Sequence, residues 1–290
     1  MIVTARIEET RHELKRARAS GGIVGLVPTM GALHEAHLSL VRRAVADGCF
    51  TVASIYVNPS QFGPAEDFDK YPRPLEKDLA LCEKEGVGLV FTPSSEDMYP
   101  GGHRTWVNVE ELTAGLCGAL RPGHFRGVAT IVTKLFAVVL PDAAYFGRKD
   151  FQQLKVIERM TADLNLPVRI VGCPTLRDDD GIAMSSRNAY LSVQERERAR
   201  VIPRILSRLS SRWQAGERSA QGLLAGLREE LERRVDTIEY FGLYHPETLR
   251  ELADEGSTGI HPVAALAVRV GKTRLIDNFQ PGVDTIKNYT

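Results

Sequence analysis

The strongest constraint on this chain is the alternation of short apolar runs with amphipathic segments between residues 23 and 173. The intervening segments carry apolar residues three and four positions apart, which is typical of helices that cover a buried sheet. This pattern predicts an α/β fold with a parallel, doubly wound sheet. The predicted strands are residues 23–27, 51–57, 87–91, 143–147 and 168–173, and the predicted helices are residues 38–46, 74–85, 128–139 and 151–164.

The pattern of apolar and polar residues changes after Cys173. The segment LRDDDGIAMSSRN is polar and resembles a linker. We interpret its three aspartates, 178–180, as a solvated hinge rather than a Mg²⁺ site. Helical patterns then cover residues 193–213 and 220–235, and strand patterns cover residues 238–244, 262–270 and 273–278, the last two joined as a hairpin. With 290 residues and ~150 per domain, we predict two domains, 1–175 and a smaller α+β domain, 176–290.

Composition excludes several classes of protein. The 37 basic residues balance the 37 acidic ones, so no overall field attracts nucleic acid or an anionic membrane. No apolar run approaches the ~18 residues that cross a bilayer. The four cysteines form no CxxC pair, and the first 20 residues lack the apolar centre of a secretory signal. We expect a cytoplasmic protein that binds neither nucleic acid nor membrane.

The segment PTMGALHEAH places His34 and His37 at the start of a predicted helix. A helix N-terminus presents unpaired N–H groups and a partial positive charge, which favours phosphate binding. Both histidines share one face of the first turn, and their ring nitrogens can donate to phosphoryl oxygens. The alternative is that they only cap the helix. We do not predict zinc, because the HExxH helix needs a spacing of four and no third ligand is evident.

The segment AYFGRKDFQQ joins a predicted strand to a helix. Lys149 can reach a polyphosphate as a point charge, and Gly147 allows a ribose or base to approach the backbone. Asp150 is either a ribose contact or a helix N-cap. We interpret Gln152 and Gln153 from their position alone as solvated helix residues.

Three further loops supply polar groups. The linker sequence AMSSRN offers hydroxyl and guanidinium donors suited to phosphate, although an ordinary turn has the same composition. The long loop around NPSQF follows the second strand, where a small-molecule site often has a wall. RPGHF adds Arg121 and His124 to the same rim, unless they are a surface arginine and a capping histidine.

Taken together and in this order, PTMGALHEAH, NPSQF, YPR, RPGHF, FGRKDFQQ and AMSSRN resemble the pantoate–β-alanine ligase family of the HIGH/KMSKS nucleotidyltransferases. The resemblance extends over residues 23–279. It implies a Rossmann-like N-terminal domain, a C-terminal lid and a homodimer. The implied reaction uses ATP and Mg²⁺. Pantoate attacks the α-phosphorus to give pantoyl adenylate and pyrophosphate, and β-alanine then releases pantothenate and AMP.

The resemblance also implies a role for each matching residue. His34, His37 and Lys149 contact the ATP phosphates and the transition state, and the loop formed by Ser185, Ser186 and Arg187 closes over the β- and γ-phosphates. Gln61 and Gln153 bind pantoate, Arg121 and His124 complete the rim, and no residue is assigned to a metal. The remaining ATP-binding residues are Thr29, Met30, Gly147, Asp150 and Met184.

Two positions depart from the family pattern. Ala36 replaces the glycine of H-x-G-H, and we expect its methyl group to push the nucleotide outward and alter the ATP affinity. Arg148 stands where Glu or Gln is usual, and we expect its side chain to face outward. Two alternatives stay open at this point. The chain is another nucleotidyltransferase of the superfamily, or it is a diverged non-catalytic protein in which Ala36 blocks productive ATP binding.

Overall fold

The computed structural model describes residues 1–64, 66–252, 260–287 and 289. By their contacts, the residues form two compact units. The first contains Met1–Arg148 and Gln152–Cys173, and the second contains Lys149–Phe151 and Pro174–Thr290. Within the described ranges, no helix combines the length and the apolar character that crossing a bilayer demands.

The first unit is built on a six-stranded, fully parallel sheet with the strand order β1-β4-β3-β2-β5-β6. Its strands are β1 (Ile2–Thr4), β2 (Ile23–Thr29), β3 (Cys49–Ile55), β4 (Leu89–Phe91), β5 (Ala143–Gly147) and β6 (Arg169–Cys173). The predicted α/β class and doubly wound parallel sheet are confirmed. The order reverses between β2 and β5, and ligands of such sheets bind beyond the carboxyl ends of the strands at this switch point.

Helices connect the strands of this sheet. They are α1 (Ile7–Ala19), α2 (Glu35–Ala46), α3 (Leu75–Lys84), α4 (Ser95–Met98), α5 (Leu116–Leu120), α6 (His124–Val139) and α7 (Phe151–Asp163), with short 3-10 turns at Pro59–Gln61 and Arg148–Asp150. The sequence pattern did not predict β1 or α1. β1 has only 3 residues, and α1 buries only Thr10 and Leu14, so neither has a strong apolar period.

The second unit contains an antiparallel three-stranded sheet in the order β7-β8-β9. Its strands are β7 (Thr237–Tyr244), β8 (Val263–Val270) and β9 (Thr273–Phe279). Val270 pairs with Thr273, so the predicted β8–β9 hairpin is confirmed. The helices are α8 (Val193–Ala199), α9 (Val201–Gln214), α10 (Ala220–Leu224) and α11 (Leu227–Glu232), and residues Ser186–Tyr190 form a 3-10 turn. Apolar residues of α9, α11 and the sheet form one core cluster.

Both predicted helices of this unit are interrupted. The predicted helix 193–213 is divided at Arg200 into α8 and α9. Pro203 explains the break, because it has no N–H to donate to the carbonyl of Ala199 and is tolerated only in the first turn of a new helix. The predicted helix 220–235 is divided where the backbone of Ala225 leaves the helical conformation, with φ −51° and ψ 122°.

Two of the three linker aspartates form ion pairs with α8. The guanidinium of Arg196, on α8, donates from Nε to Asp180 Oδ2 and from Nη2 to Asp178 Oδ2, both at 2.7 Å. The backbone also closes on itself, since Asp178 N–H donates to the Ile182 carbonyl over 2.9 Å. The interpretation as solvated residues was therefore wrong for Asp178 and Asp180, which anchor the linker to α8, whereas Asp179 is exposed.

A buried ion pair ties the linker to β9. Arg177 forms a bidentate pair with Asp277, with distances of 2.6 and 3.0 Å, and their side chains are only 11% and 1% exposed. Burial opposes the charge on Arg177, but the charge and hydrogen bonds of Asp277 outweigh it and raise the pKa of the guanidinium. Removal of one partner would leave the other charge buried and uncompensated.

We predict that Asp277→Ala lowers the free energy of unfolding by about 3–5 kcal/mol, as expected for a broken buried pair. The matched control is Asp163→Ala, which breaks the pair with Arg159, where the side chains are 61% and 48% exposed. An exposed pair of this kind contributes at most ~0.5 kcal/mol. Urea denaturation of both variants measures the difference, and equal losses would contradict the prediction.

Candidate active site

A tight turn after β2 carries the PTMGALHEAH segment into α2. Gly31 and Ala32 have positive φ angles of 79° and 50°. The carboxylate of Asp78, on α3, accepts hydrogen bonds from the N–H groups of Ala32 and Leu33, both at 2.8 Å, and Asp78 is 1% exposed. A Cβ at Gly31 would lie 2.9 Å from Asp78 Oδ2, so the turn requires glycine there.

Asp78 shapes this turn, although no sequence motif indicated it. A signal was present, because Asp78 and Cys82 lie four positions apart and are the buried residues of α3. An acidic residue at a core position is rare unless it has a specific partner. Here the partner is the backbone of the loop that precedes His34.

His34 and His37 cap α2 through reciprocal side-chain to backbone contacts, with His34 at the N-cap and His37 at the third helical position. The backbone N–H of His34 donates to His37 Nδ1 over 3.4 Å, and the ring centroids are 4.0 Å apart. Since Nδ1 is the acceptor, this hydrogen bond assigns the proton of the neutral His37 ring to Nε2. The His37 ring can thus cap the helix through Nδ1 and donate a hydrogen bond to a phosphate through Nε2–H.

The NPSQF segment is organised by Asn58, which is 1% exposed. Its Oδ1 accepts from the Tyr99 hydroxyl at 2.9 Å, and its Nδ2 donates to Gln61 Oε1 at 2.9 Å. Gln61 Nε2 in turn contacts Met30 Sδ at 3.2 Å. The structure therefore brings Gln61 and Met30 together and fixes the orientation of the Gln61 amide.

Arg121 and His124 hold the backbone of Gln61. Arg121 donates to Glu66 Oε1 at 2.7 Å, and its Nη1 lies 3.0 Å from His124 Nε2. His124 Nδ1 lies 2.8 Å from the Gln61 carbonyl oxygen. Because Arg121 can only donate, His124 Nε2 accepts and Nδ1–H donates. In the described structure, these two predicted rim residues form a chain of hydrogen bonds that ends at Gln61.

Close packing of α6 supports the same loop. A Cβ at Gly127 would lie 2.3 Å from the Ser60 carbonyl oxygen, so only glycine allows α6 this close to the Pro59–Gln61 turn. The carbonyl of Gly127 also accepts from Asn58 Nδ2 over 3.3 Å. This contact explains why position 127 is a glycine.

Glu66 completes the hydrogen-bonded chain. Burial alone would raise the pKa of this carboxyl group. The hydrogen bonds and positive charge of Arg121 outweigh burial, so the pKa of Glu66 lies below its ordinary value. The carboxylate therefore stays charged, and paired with Arg121, under mildly acidic conditions.

The carboxyl end of β5 lies next to that of β2 in the sheet order. Apart from Gly147 and its two chain neighbours, no described residue has an atom within 4 Å of the position that a Cβ on Gly147 would occupy. Arg148 is half-buried, its Nε is shielded from solvent, and its Cγ packs towards Gly172. The expectation that Arg148 faces outward was wrong.

Gln152 is a buried structural residue. It is 7% exposed, and its Nε2 donates to the carbonyls of Leu112 and Gly115 at 2.8 and 2.9 Å. Its Oε1 accepts from the N–H of Cys117 at 3.0 Å. Its interpretation as a solvated residue was wrong, because sequence position alone does not reveal these distant partners. Gln153, the next residue, is half-buried.

The predicted ATP-binding residues Lys149, Asp150 and 184–187 belong to the second unit. Lys149 is half-buried and Asp150 is exposed in the Arg148–Asp150 turn. In the linker, the Ser185 hydroxyl oxygen accepts from the N–H of Arg187 at 3.3 Å, which caps the Ser186–Tyr190 turn. Met184 is half-buried beside them. In the described part of the chain, no group of three or more His, Cys, Asp or Glu residues is placed to hold a metal ion.

The fold and these groups define a doubly wound α/β protein with a histidine-capped helix at the switch point of its sheet, where ligands of such folds bind. Within that class, the chain belongs to the pantoate–β-alanine ligase family, whose profile matches residues 2–280. The pantothenate synthetase of Roseiflexus sp. (strain RS-1) is 52% identical over 275 residues, which cover 94% of this chain and 98% of that protein. The pantothenate synthetase of Thermoanaerobacter sp. (strain X514) is 50% identical over 281 residues, with coverage of 96% and 98%.

Solved structures agree with this assignment. Pantothenate synthetase from Thermus thermophilus superposes with a TM-score of 0.90 at 46% identity, covering 97% of this chain and 99% of that chain. Pantoate–β-alanine ligase from Francisella tularensis, complexed with beta-gamma ATP and β-alanine, superposes with a TM-score of 0.78 at 30% identity, covering 97% of each chain. The resemblance that the sequence motifs indicated is confirmed.

Neighbouring glutamines of α7 provide a matched pair of variants. We predict that Gln152→Ala lowers the free energy of unfolding by about 2–4 kcal/mol, because three backbone groups lose their side-chain partner and two of these hydrogen bonds are buried. Gln153→Ala should change it by at most ~0.5 kcal/mol and instead raise the KM for pantoate. Urea denaturation and steady-state kinetics measure the two effects. A similar loss of stability in both variants would contradict this assignment.

Glu66 gives a prediction about pH. Its pKa is lowered by folding, so the pair with Arg121 adds stability above the ordinary pKa near 4.5, and that stability is lost as the pH falls through the lowered value. We expect wild type to be more stable than Glu66→Gln at neutral pH, with the difference shrinking below about pH 4.5. Thermal unfolding across this range measures it, with the exposed Glu76→Gln as control. A constant difference would contradict the prediction.

Proposed function

We propose that the chain catalyses the ATP-dependent condensation of pantoate with β-alanine to pantothenate, through a pantoyl-adenylate intermediate, with release of pyrophosphate and AMP. The observation that carries this proposal is the N-terminus of α2, capped by His34 and His37 at the switch point of the sheet. The full-length similarity to pantothenate synthetases supports the same reaction. The Francisella relative bound to beta-gamma ATP and β-alanine supports these two substrates.

Adenylate formation needs neutralised phosphates more than a protein nucleophile. Displacement at phosphorus proceeds when the reactants are held in line and the developing charge is stabilised. His37 Nε2–H and the N-terminus of α2 supply fixed donors, and His34 supplies a second ring. Lys149 and Arg187 supply charge to the phosphates. Mg²⁺ enters on ATP, so the nucleotide substrate is MgATP.

Open space next to Gly147 supports a place for the adenosine. A Cβ there would meet no described atom within 4 Å, so packing of the described residues does not demand glycine at this position. Thr29, Met30, Asp150 and Met184 contact the rest of the nucleotide. Ala36 is the second residue of α2, where its methyl group faces an approaching nucleotide and weakens ATP binding without preventing it.

Pantoate is bound by the amides of Gln61 and Gln153. Asn58 and Met30 fix the Gln61 amide, and His124 holds its backbone carbonyl. A preset amide discriminates well, because an acceptor acid without matching hydroxyl groups leaves it unpaired. Ser185 and Ser186 close with Arg187 over the β- and γ-phosphates, and the 176–290 domain acts as a lid that protects the adenylate from water. The working enzyme is a cytoplasmic homodimer.

The test measures each half-reaction. With ATP, Mg²⁺ and pantoate alone, we expect exchange of labelled pyrophosphate into ATP. With β-alanine added, we expect equal amounts of AMP and pantothenate. His37→Ala should lower kcat about 100-fold or more through the lost donor, whereas the exposed His12→Ala should not. Ala36→Gly should lower the KM for ATP.

Two results would overturn the proposal. Folded protein that shows no pantoate-dependent exchange would indicate a non-catalytic nucleotide-binding protein. Equal exchange with unrelated acceptor acids would indicate another nucleotidyltransferase. In either case, mass spectrometry of the products identifies which bond was formed.

A further inference from the structure

Two adjacent polar residues of β9 are buried. Asp277 is 3% exposed and Asn278 is 5% exposed, on the outer strand of the three-stranded sheet. Successive side chains of a strand point to opposite faces, so the two residues serve different neighbours. Asp277 shares its face with Leu275 and Phe279, which belong to the core of the unit. Such buried polar groups are retained only with hydrogen-bond partners.

The side chain of Asn278 binds the backbone of Lys149. Asn278 Nδ2 donates to the Lys149 carbonyl oxygen over 2.7 Å. The backbone N–H of Asn278 donates to Asp277 Oδ1 over 2.8 Å. This hydrogen bond fixes the Asp277 side chain against the backbone of Asn278. By its contacts, the Lys149–Phe151 segment belongs to the same compact unit as β9.

Lys149 has a particular need for such an anchor. It lies in a single 3-10 turn, Arg148–Asp150, rather than inside a helix or strand. Its ammonium group sits on a flexible four-carbon stem, so the position of the backbone decides which points the charge can reach. One hydrogen bond to its carbonyl therefore limits where the cation is held.

Asp277 anchors the other phosphate-binding segment of this unit. It pairs with Arg177, whose Nη1 also donates to the Gly181 carbonyl over 3.0 Å. Arg177 and Ala183 form an antiparallel bridge, and the chain continues directly into Ser185. Neighbouring residues of one strand thus hold Lys149 on one side and the Ser185–Arg187 loop on the other.

We propose that Asn278 is a positioning residue for Lys149. We further propose that β9 fixes the position of Lys149 relative to the loop of Ser185, Ser186 and Arg187. This inference rests on the proposed function, in which both segments bind the phosphates of ATP. Asn278 does not touch substrate. It acts by fixing the backbone from which the Lys149 side chain extends.

The test is a double-mutant cycle on pantoate-dependent pyrophosphate exchange. Asn278→Ala should lower kcat/KM for ATP by about tenfold to a hundredfold, as expected when a reacting group is displaced by ~1 Å. In a Lys149→Ala background, the same substitution should change kcat/KM by less than about threefold, because no ammonium group is left to misplace. The KM for β-alanine should stay the same in the single variant.

Further variants separate positioning from folding. Thr273→Val alters a buried polar side chain of the same strand and should leave kcat/KM unchanged. Asn278→Asp keeps the size of the side chain but replaces its donor by an acceptor, and it substitutes for Asn278→Ala if that variant does not fold. Melting temperatures show how much of any loss comes from stability.

The outcomes are distinguishable. A large loss in wild type and a small one in the Lys149→Ala background supports the inference. Equal losses in both backgrounds, or no loss in a folded Asn278 variant while wild type exchanges pyrophosphate, would overturn it. If wild type shows no exchange, the proposed function fails and the inference falls with it.

Discussion

The arrangement of the first unit depends on one buried carboxylate. Asp78 accepts hydrogen bonds from two successive N–H groups, those of Ala32 and Leu33, in a turn that contains two residues with positive φ. Such a turn is unfavourable without compensation, because an L-residue in the left-handed region costs about 1 kcal/mol or more. The carboxylate fixes the exit of β2 and the entry into α2, and so places Met30 and both histidines.

The same principle recurs in the site, where side chains hold backbone rather than ligand. Asn58 and His124 fix Gln61, Gln152 fixes the 112–117 segment, and Asn278 fixes Lys149. Each of these bonds joins segments that are distant in sequence or turns that lack regular structure. Preorganised donors need not be rearranged when charge develops, and this is the main source of electrostatic catalysis.

The sequence predicted those helices and strands in which apolar residues recur with a clear period. Buried parallel strands such as β2 and β5 are continuous apolar runs, and the predicted range 143–147 matches β5. β1 is too short for a period, and the split between α8 and α9 follows from one missing N–H at Pro203. Local sequence patterns therefore predicted where helices and strands lie better than where a helix is broken.

The candidate site was predicted less evenly, for a physical reason. Motifs indicated His34, His37 and Gln61, because ligand-binding groups cluster after strands. Asp78, Gln152 and Asn278 bind backbone groups 35 or more residues away. Neither periodicity nor motif spacing contains that information. The local signal that was present is Asp78, a charged residue at a position of α3 where the spacing of apolar residues predicts the core.

The hydrogen bond between the two histidines gives the His37 ring a structural task at the start of α2. A substitution of His37 removes the acceptor of the His34 N–H together with a ring N–H, so a loss of rate in such a variant would combine a frayed helix terminus with a missing donor. A side chain that replaces His37 keeps both properties only if it offers an acceptor and a donor together, as the amide of asparagine does.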